Sequence, residues 1–439
     1  MKRVLIISYY WPPAGGISPL RCLKIAKYLR KFDWEPIIYS PLNADYPIID
    51  NDYLKDVPED IEHIKGEIWE PFRLFKFLSG KKKEDKLNNI FHVRDRNENF
   101  VDKLGKWIRS NFFIPDARSM WIRPSVKLLS KYLKDNPVDA MFTDGPPHTN
   151  TMIGLRLKQK FKIPWLSDYQ DPWTQVDYYK LLILMPFADR KHRKLENECL
   201  NFADALTIAS DTWALDLNQI ANKKVEPLYY GYDEEDFEGL ISNLDNDFTI
   251  FHGGLLGYDR FPENLFQAII ELIDEDLLDK KKVRIVLAGQ VDYSIVEFLK
   301  ASILNNNVDL IGTLKRKQVL QHLLNSQMIL LPINKAANAK GRIPGKLFEC
   351  LRARRPILCL GPIEADTSWI VEKTLSGKSF DYSDVKNVKH YILDRYNKYL
   401  NGSNHIENEN IEQYRNDLQT EKVANILNQI TNNNNIKTR

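Results

Sequence analysis

Three short stretches of this sequence set glycines at expected turns, two of them with cations close by, in spacings suited to holding a polyphosphate. The richest runs from Lys340 to Gly361, KGRIPGKLFECLRARRPILCLG. Pro344 suits a first helical turn, and Lys346 and Glu349, three apart, share a helix face near its start. Leu347, Cys350 and Leu351 form the stripe that such a helix would bury. A second stretch is His252-Gly253-Gly254, with Arg260 following just before Pro262. The third is YYWPPAGGIS, Tyr9–Ser18, in which Gly15-Gly16 lets backbone approach a ligand closely. The helix start that follows it offers unpaired N–H groups to an anion. A helix dipole alone contributes about 0.3–1 kcal/mol toward an anion, whereas charge-assisted bonds contribute roughly 1.5–3 kcal/mol each. A diphosphate in a cleft therefore needs cations, and Arg260, Arg342 and Lys346 are placed to supply them. Glu349, a carboxylate among phosphate-binding groups, makes sense facing hydroxyls such as those of a ribose. The plainer alternative is a surface ion pair between Lys346 and Glu349.

Acid–base chemistry has three candidates. Asp168 and Asp171 flank a strand end in SDYQDPW, and His148 follows another strand in DGPPHTN. Each is placed to orient or deprotonate an acceptor hydroxyl. The competing readings are a helix cap or loop hydrogen bond for the two Asp, and Thr149 or Asn150 as helix cap with His148 incidental. The runs Asp50-Asn51-Asp52 and Asp245-Asn246-Asp247 sit in polar, exposed-looking stretches, and the histidines show no paired-ligand spacing, so no metal site is expected. Cys22, Cys199, Cys350 and Cys359 are scattered without a CxxC pair, which fits buried thiols in a reducing compartment.

The elements that must position these residues alternate. Short apolar runs such as Val4–Ser8, Pro36–Tyr39, Ala140–Thr143, Trp165–Asp168 and Leu206–Ala209 are separated by helical patterns. In Ser18–Phe32, Cys22, Ile25, Ala26 and Leu29 form the core-facing stripe, with Arg21, Lys24, Lys27 and Arg30 mostly elsewhere on the circumference. The acidic segment Asp233–Asp247 breaks the rhythm as a linker. The alternation restarts at Phe248–His252 and continues through Val283–Ala288, Val308–Ile311, Met328–Leu331 and Pro356–Leu360. This pattern predicts an α/β protein with two Rossmann-like, doubly wound domains facing a central cleft. The expected bounds are 1–235, with a helical insertion at about 62–123, then 236–400, then 401–439 as a terminal helix and frayed tail.

Bulk properties narrow the classes. The chain has 439 residues, 43% hydrophobic and 28% charged, with a formal net charge of only +3, which disfavours a dedicated nucleic-acid partner. No apolar run reaches the ~18 residues of a membrane span. The opening MKRVLIISYY is expected to be a first strand rather than a signal, and the protein cytoplasmic. Two aromatic–basic segments, Ile68–Lys83 and Lys106–Arg123, fit either a helical insertion on the sheet or a surface for anionic lipid headgroups at the inner face of the cytoplasmic membrane.

YYWPPAGGIS, SDYQDPW at Ser167–Trp173 and NAKGRIPGKLFECLRARRPILCLGP at Asn338–Pro362 together resemble bacterial family 4 glycosyltransferases of the GT-B fold. The resemblance runs through most of the chain and is weakest in Glu62–Arg118. It implies retaining transfer of a sugar from a nucleotide diphosphate donor, a UDP- or GDP-sugar as co-substrate, with no tightly bound cofactor. The acceptor implied is a saccharide or lipid-linked saccharide in surface polysaccharide synthesis. It also implies that the second domain binds the donor, with Glu349 on the ribose hydroxyls and Lys346 on the phosphates. The Gly15-Gly16 loop meets the diphosphate from the acceptor side, and Ile411–Ile430 crosses back to the first domain. Two departures stand out: Gly341 occupies the place of a sugar-facing Glu, and Gly254 that of a donor-loop Arg, with Arg260 standing in for the neighbouring Lys and Arg342 for lost phosphate charge. A sugar-nucleotide epimerase of the same shape and a non-catalytic nucleotide-sugar binder are the rival readings. A nicotinamide oxidoreductase is disfavoured because no GxGxxG follows the first strand.

Overall fold

The computed structural model describes residues 1–69, 100–336 and 338–437. The chain divides into two compact units, Met1–Tyr230 with Asn416–Arg439, and Gly231–Arg415.

In the first unit, strands β1 (Lys2–Ile7), β2 (Trp34–Pro41), β3 (Glu62–Gly66), β4 (Ala140–Gly145), β5 (Trp165–Tyr169), β6 (Ala205–Ile208) and β7 (Val225–Pro227) form a parallel sheet in the order β3-β2-β1-β4-β5-β6-β7. Its helices are α1 (Leu20–Tyr28), α2 (Phe100–Phe112), α3 (Ile122–Asp135), α4 (His148–Phe161), α5 (Pro186–Phe202) and α6 (Asp211–Asn218). The VLII run of β1 is buried throughout because both faces of the sheet are covered. Successive side chains point to opposite faces: Leu5 and Ile7 join one core with Leu129, Ile153 and Leu200, while Val4 and Ile6 join another with Cys22 and Ile25.

The second unit has β8 (Phe248–Gly253), β9 (Val283–Ala288), β10 (Val308–Gly312), β11 (Met328–Pro332), β12 (Ile357–Leu360) and β13 (Gly377–Phe380), parallel in the order β10-β9-β8-β11-β12-β13. Helices α7 (Glu263–Asp274), α8 (Tyr293–Ala301), α9 (Arg316–Asn325), α10 (Lys346–Ala353), α11 (Asp366–Lys373) and α12 (Val385–Leu400) alternate with them. Helix α13 (Asn416–Lys437) returns to the first unit. The expected architecture of two doubly wound parallel-sheet α/β domains is thus what the chain adopts.

Three local expectations are corrected. Glu62–Gly66, placed at the head of a helical insertion, is the edge strand β3; its EHIKG sequence has no apolar run to announce it. Arg21 and Lys24 are not on an outer face: both are buried, because α13 lays Val423, Ile426, Leu427 and Ile430 over α1. Lys24 Nζ is instead matched by Asp56 at 2.8 Å. The Asp233–Asp247 stretch is not a loose connector throughout, since Phe237 is buried and Asp236 is ion-paired to Arg316 at 3.0 Å within the second unit. The four cysteines are buried and free, as expected. Of the aromatic–basic segment Ile68–Lys83, only Ile68 and Trp69 fall within the described residues.

Each sheet changes winding direction at one point. In the first it lies between β1 and β4, in the second between β8 and β11. Ligands of open α/β sheets bind beyond the carboxyl ends of the strands at such points.

Candidate functional site

At the β8/β11 switch point, the end of β8 meets the start of α10. Lys346 is the first residue of α10, and its Nζ donates to the Gly253 carbonyl at 3.1 Å and lies 3.4 Å from His252 Nε2. His252 is buried, with Nδ1 3.0 Å from the Leu330 carbonyl. Burial and the adjacent ammonium hold its pKa well below the usual value, so the ring is neutral and Nε2 accepts. Desolvation pushes Lys346 down to about 8, with the Arg260 charge acting in the same direction. Among the described residues no carboxylate is ion-paired to this ammonium. Gly254 has φ +123°, and a Cβ there would sit 3.4 Å from Lys346 Nζ. Gly289, which belongs to none of the sequence motifs, is required too: a Cβ on it would collide with the Gly254 carbonyl.

Glu349 and Arg260 nearby are already engaged. Glu349 is paired with Arg316 at 2.5 Å, and Arg316 also holds Asp236. A Lys346–Glu349 surface pair is therefore not what forms; the two leave α10 toward different partners. Arg260 makes a two-pronged contact with Asp259, at 3.2 and 3.1 Å. Arg342 caps a short turn whose Gly341 is buried, and its carbonyl accepts from Thr367 Oγ1 at 2.8 Å.

At the β1/β4 switch point the chemistry differs. Gly16 has φ +82° and its carbonyl accepts from Tyr53 at 3.1 Å. Gly15 donates its N–H to the Ile48 carbonyl at 2.8 Å, and a Cβ on it would press on Ile48 at 2.7 Å. That N–H is thus spent inside the protein rather than offered to an anion. Beneath the loop, Arg21 Nη1 donates to Asp168 at 3.3 Å and to the Leu228 carbonyl at 2.7 Å, with its guanidinium 4.5 Å from the Tyr230 ring centroid. Asp168 is fully enclosed and also accepts from Thr207 at 2.6 Å. Asp144, at the end of β4, accepts from Gln170 at 2.8 Å and from the Cys22 thiol at 3.3 Å. Burial pushes both carboxyls up, Asp144 further so by the charge of Asp168, while Arg21 opposes the rise in each. Asp171 is half-buried in the following loop.

His148, the first residue of α4, stacks on Trp173 with centroids 4.5 Å apart, and Trp173 Nε1 donates to His192 at 3.1 Å. Burial, then His192, pushes its pKa down to about 3, so it is a neutral ring at physiological pH. Neither Thr149 nor Asn150 caps α4. Asp116, from a different segment, accepts from the Thr149 N–H at 2.9 Å and its hydroxyl at 2.8 Å. Arg21, Asp144, Gln170 and Arg316 were missed in the sequence. Asp144 carried a signal, since TDG ends β4 just as SDY ends β5, whereas the other three acquire meaning only from distant partners.

Among the described residues, no three His, Cys, Asp or Glu side chains gather as a metal site, and no helix is long and apolar enough to cross a membrane.

No protein-family profile matches the chain, and no curated protein does. Solved structures do match, in fold. The N-terminal domain of Candida albicans trehalose-6-phosphate phosphatase aligns with TM-score 0.64 at 12% identity, over 98% of this chain and 97% of that one. A point mutant of S. aureus TarM, in complex with Fondaparinux, alpha-GlcNAc-glycerol and UDP, aligns with TM-score 0.60 at 13% identity, over 98% and 100%. A putative UDP-N-acetylglucosamine 2-epimerase from Listeria monocytogenes gives 0.55 at 12%, over 96% and 94%. The class these features define is the GT-B architecture of two parallel-sheet α/β units. Identities this low establish the fold alone.

Proposed function

We propose that the chain transfers a sugar from a nucleoside diphosphate donor to a hydroxyl acceptor, with the second unit holding the donor. One observation carries this reading: the Lys346 ammonium is desolvated and held by a carbonyl and a neutral imidazole rather than by a carboxylate. A cation kept that way at a switch point is completed by an anionic ligand. The UDP bound to TarM, a protein of the same fold, supports a nucleoside diphosphate as that ligand. Lys346 would stabilise the departing diphosphate, the site of greatest charge development, and Arg260, Arg342 and the Gly253-Gly254 backbone would line the same pocket. Glu349 would take the ribose hydroxyls once Arg316 leans toward Asp236.

On the first unit, Asp171 and His148 are the residues we assign to the acceptor. His148 acts as a neutral hydrogen-bonding ring. Asp168 acts through Arg21 as a positioning residue, since it has no exposed surface. Gly15 and Gly16 shape the loop above them. The transfer is proposed to retain configuration, with a surface saccharide or lipid-linked saccharide as acceptor.

The test is nucleotide release. Incubated with UDP- and GDP-sugars, the protein should release the diphosphate faster when a saccharide acceptor is added, and Lys346→Ala should slow that release at saturating donor. Binding of neither nucleotide by calorimetry would sink the reading. The similarity to the Listeria epimerase fold favours one second reading, sugar-nucleotide epimerisation, which an epimer formed from donor alone would establish.

A further inference from the structure

Helix α2 leaves an apolar stripe uncovered and is tied to a second apolar segment beside that stripe. Its polar Asn111 is buried, donating to the Trp107 and Ile183 carbonyls at 2.8 Å each and accepting from the Met185 N–H at 2.6 Å. Leu104, Ile108 and Phe112, spaced at four-residue intervals on one stripe, point outward and are each more than two-fifths exposed. The segment Leu181–Phe187, LLILMPF, behaves alike: Ile183, Met185 and Phe187 are exposed to a similar degree. The Asn111 bonds and the Phe112–Phe187 ring contact, 6.2 Å between centroids, join the two segments into one apolar pad. Monomeric soluble proteins rarely leave such contiguous patches uncovered without a partner.

The charges around the pad choose the partner. Lys103 and Lys180 are exposed and immediately precede Leu104 and Leu181, and exposed Lys191 and Lys194 follow Phe187 at i+4 and i+7 on α5, Lys194 with a long 3.9 Å contact to Glu198. The nearby Asp189 is occupied by Arg193 at 3.0 Å and by the Tyr179 hydroxyl at 2.9 Å. An apolar face rimmed by exposed lysines complements the headgroup region of an anionic bilayer, where acyl chains take the former and phosphates the latter. We infer that α2 and Leu181–Phe187 form a docking pad that lays the first unit on an anionic lipid surface. This does not depend on the donor chemistry: docking and sugar transfer can each fail alone.

Sedimentation of the full chain with vesicles tests it, using phosphatidylcholine alone and phosphatidylcholine mixed with phosphatidylglycerol. Binding should be at least about tenfold stronger to the anionic vesicles and should weaken with salt. Phe112→Ser with Phe187→Ser should abolish it. Lys180→Gln, Lys191→Gln and Lys194→Gln should each lower it by up to about fivefold at low salt, and these surface changes keep the test open should the double Phe variant misfold by circular dichroism. Equal binding to both vesicle types, binding to neither, or unchanged binding by a folded Phe112→Ser/Phe187→Ser variant would overturn the inference. So would a vesicle-free dimer that the same variant converts to monomer, since a second copy would then be the occupant.

Discussion

The two switch points share a topology and differ in how their charges are paired. Where β1 meets β4, opposite charges are buried together: Arg21 faces Asp168, Asp144 is held by Gln170 and Cys22, and hardly any of this is exposed. Where β8 meets β11, a single ammonium is desolvated against a carbonyl and a neutral histidine. The same strand order therefore supplies a place, and the count of charges decides what the place is for. Paired buried charges support the loop above them, while a cation without a carboxylate is suited to an anionic ligand.

The largest effect should come from unbalancing the closed cluster. Arg21→Met leaves Asp168 buried without its cation, and breaking a buried pair in this way costs about 3–5 kcal/mol. Urea unfolding would measure it. The loss should shrink as pH falls, because a protonated Asp168 no longer needs the guanidinium, and Asp168→Asn added to Arg21→Met should recover part of it. A stability within about 1 kcal/mol of wild type would mean that the two switch points do not differ in the way described.

Next in size is Lys346→Ala. Removing a charge-assisted contact of roughly 1.5–3 kcal/mol should weaken nucleoside diphosphate binding about 10- to 150-fold, measured by calorimetry with UDP and GDP. The unliganded fold should lose little, since the ammonium is a cost there rather than a support. A variant that binds as wild type but melts far lower would assign Lys346 to the core.

What could be read from the residues alone followed the range of the interactions. The parallel architecture is legible because strand and helix periods are local, and Lys346 is legible as a helix start and Gly253-Gly254 as a strand end, but their contact is not. Arg21 reads as lying off the core-facing stripe because the helix that buries it lies some four hundred residues downstream. Glu349 was seen as a ribose ligand without its present partner, since nothing near it in sequence announces Arg316. Strands β3 and β13 are short and carry little apolar sequence. Asp168 looked like a strand-end acid, and only its enclosure distinguishes a positioning carboxylate from one open to substrate.

Proton occupancy offers a gentler probe of the open site. With its pKa down at about 8, Lys346 is mostly charged at pH 7 and mostly neutral at pH 9, so diphosphate affinity should fall about tenfold across that interval. Lys346→Arg, which stays charged, should flatten the profile. Without ligand the sign reverses. The unfolded chain holds that proton up to its ordinary pKa, so stability should rise with pH above about 8, and wild type minus Lys346→Met isolates the term.

The smallest effect concerns the one place where the open site is partly balanced. Arg316 is shared between Glu349 and Asp236, all three partly buried. If the ribose hydroxyls take Glu349, Arg316 keeps Asp236 as its anion and no charge is stranded, so the exchange costs little. Glu349→Gln should therefore leave UDP binding within a few-fold of wild type, as expected for one partly solvated contact of roughly 0.5–1.5 kcal/mol. It should, however, erase most of the preference for UDP over 2′-deoxy-UDP. Asp236→Asn acts in the opposite sense: with one anion fewer, Arg316 grips Glu349 harder, and the ribose must compete for it. UDP should then bind more weakly while 2′-deoxy-UDP is affected less. Equal discrimination between the two nucleotides in wild type and Glu349→Gln would place Glu349 with the internal ion pairs, and the second switch point would resemble the first more closely than its lysine suggests.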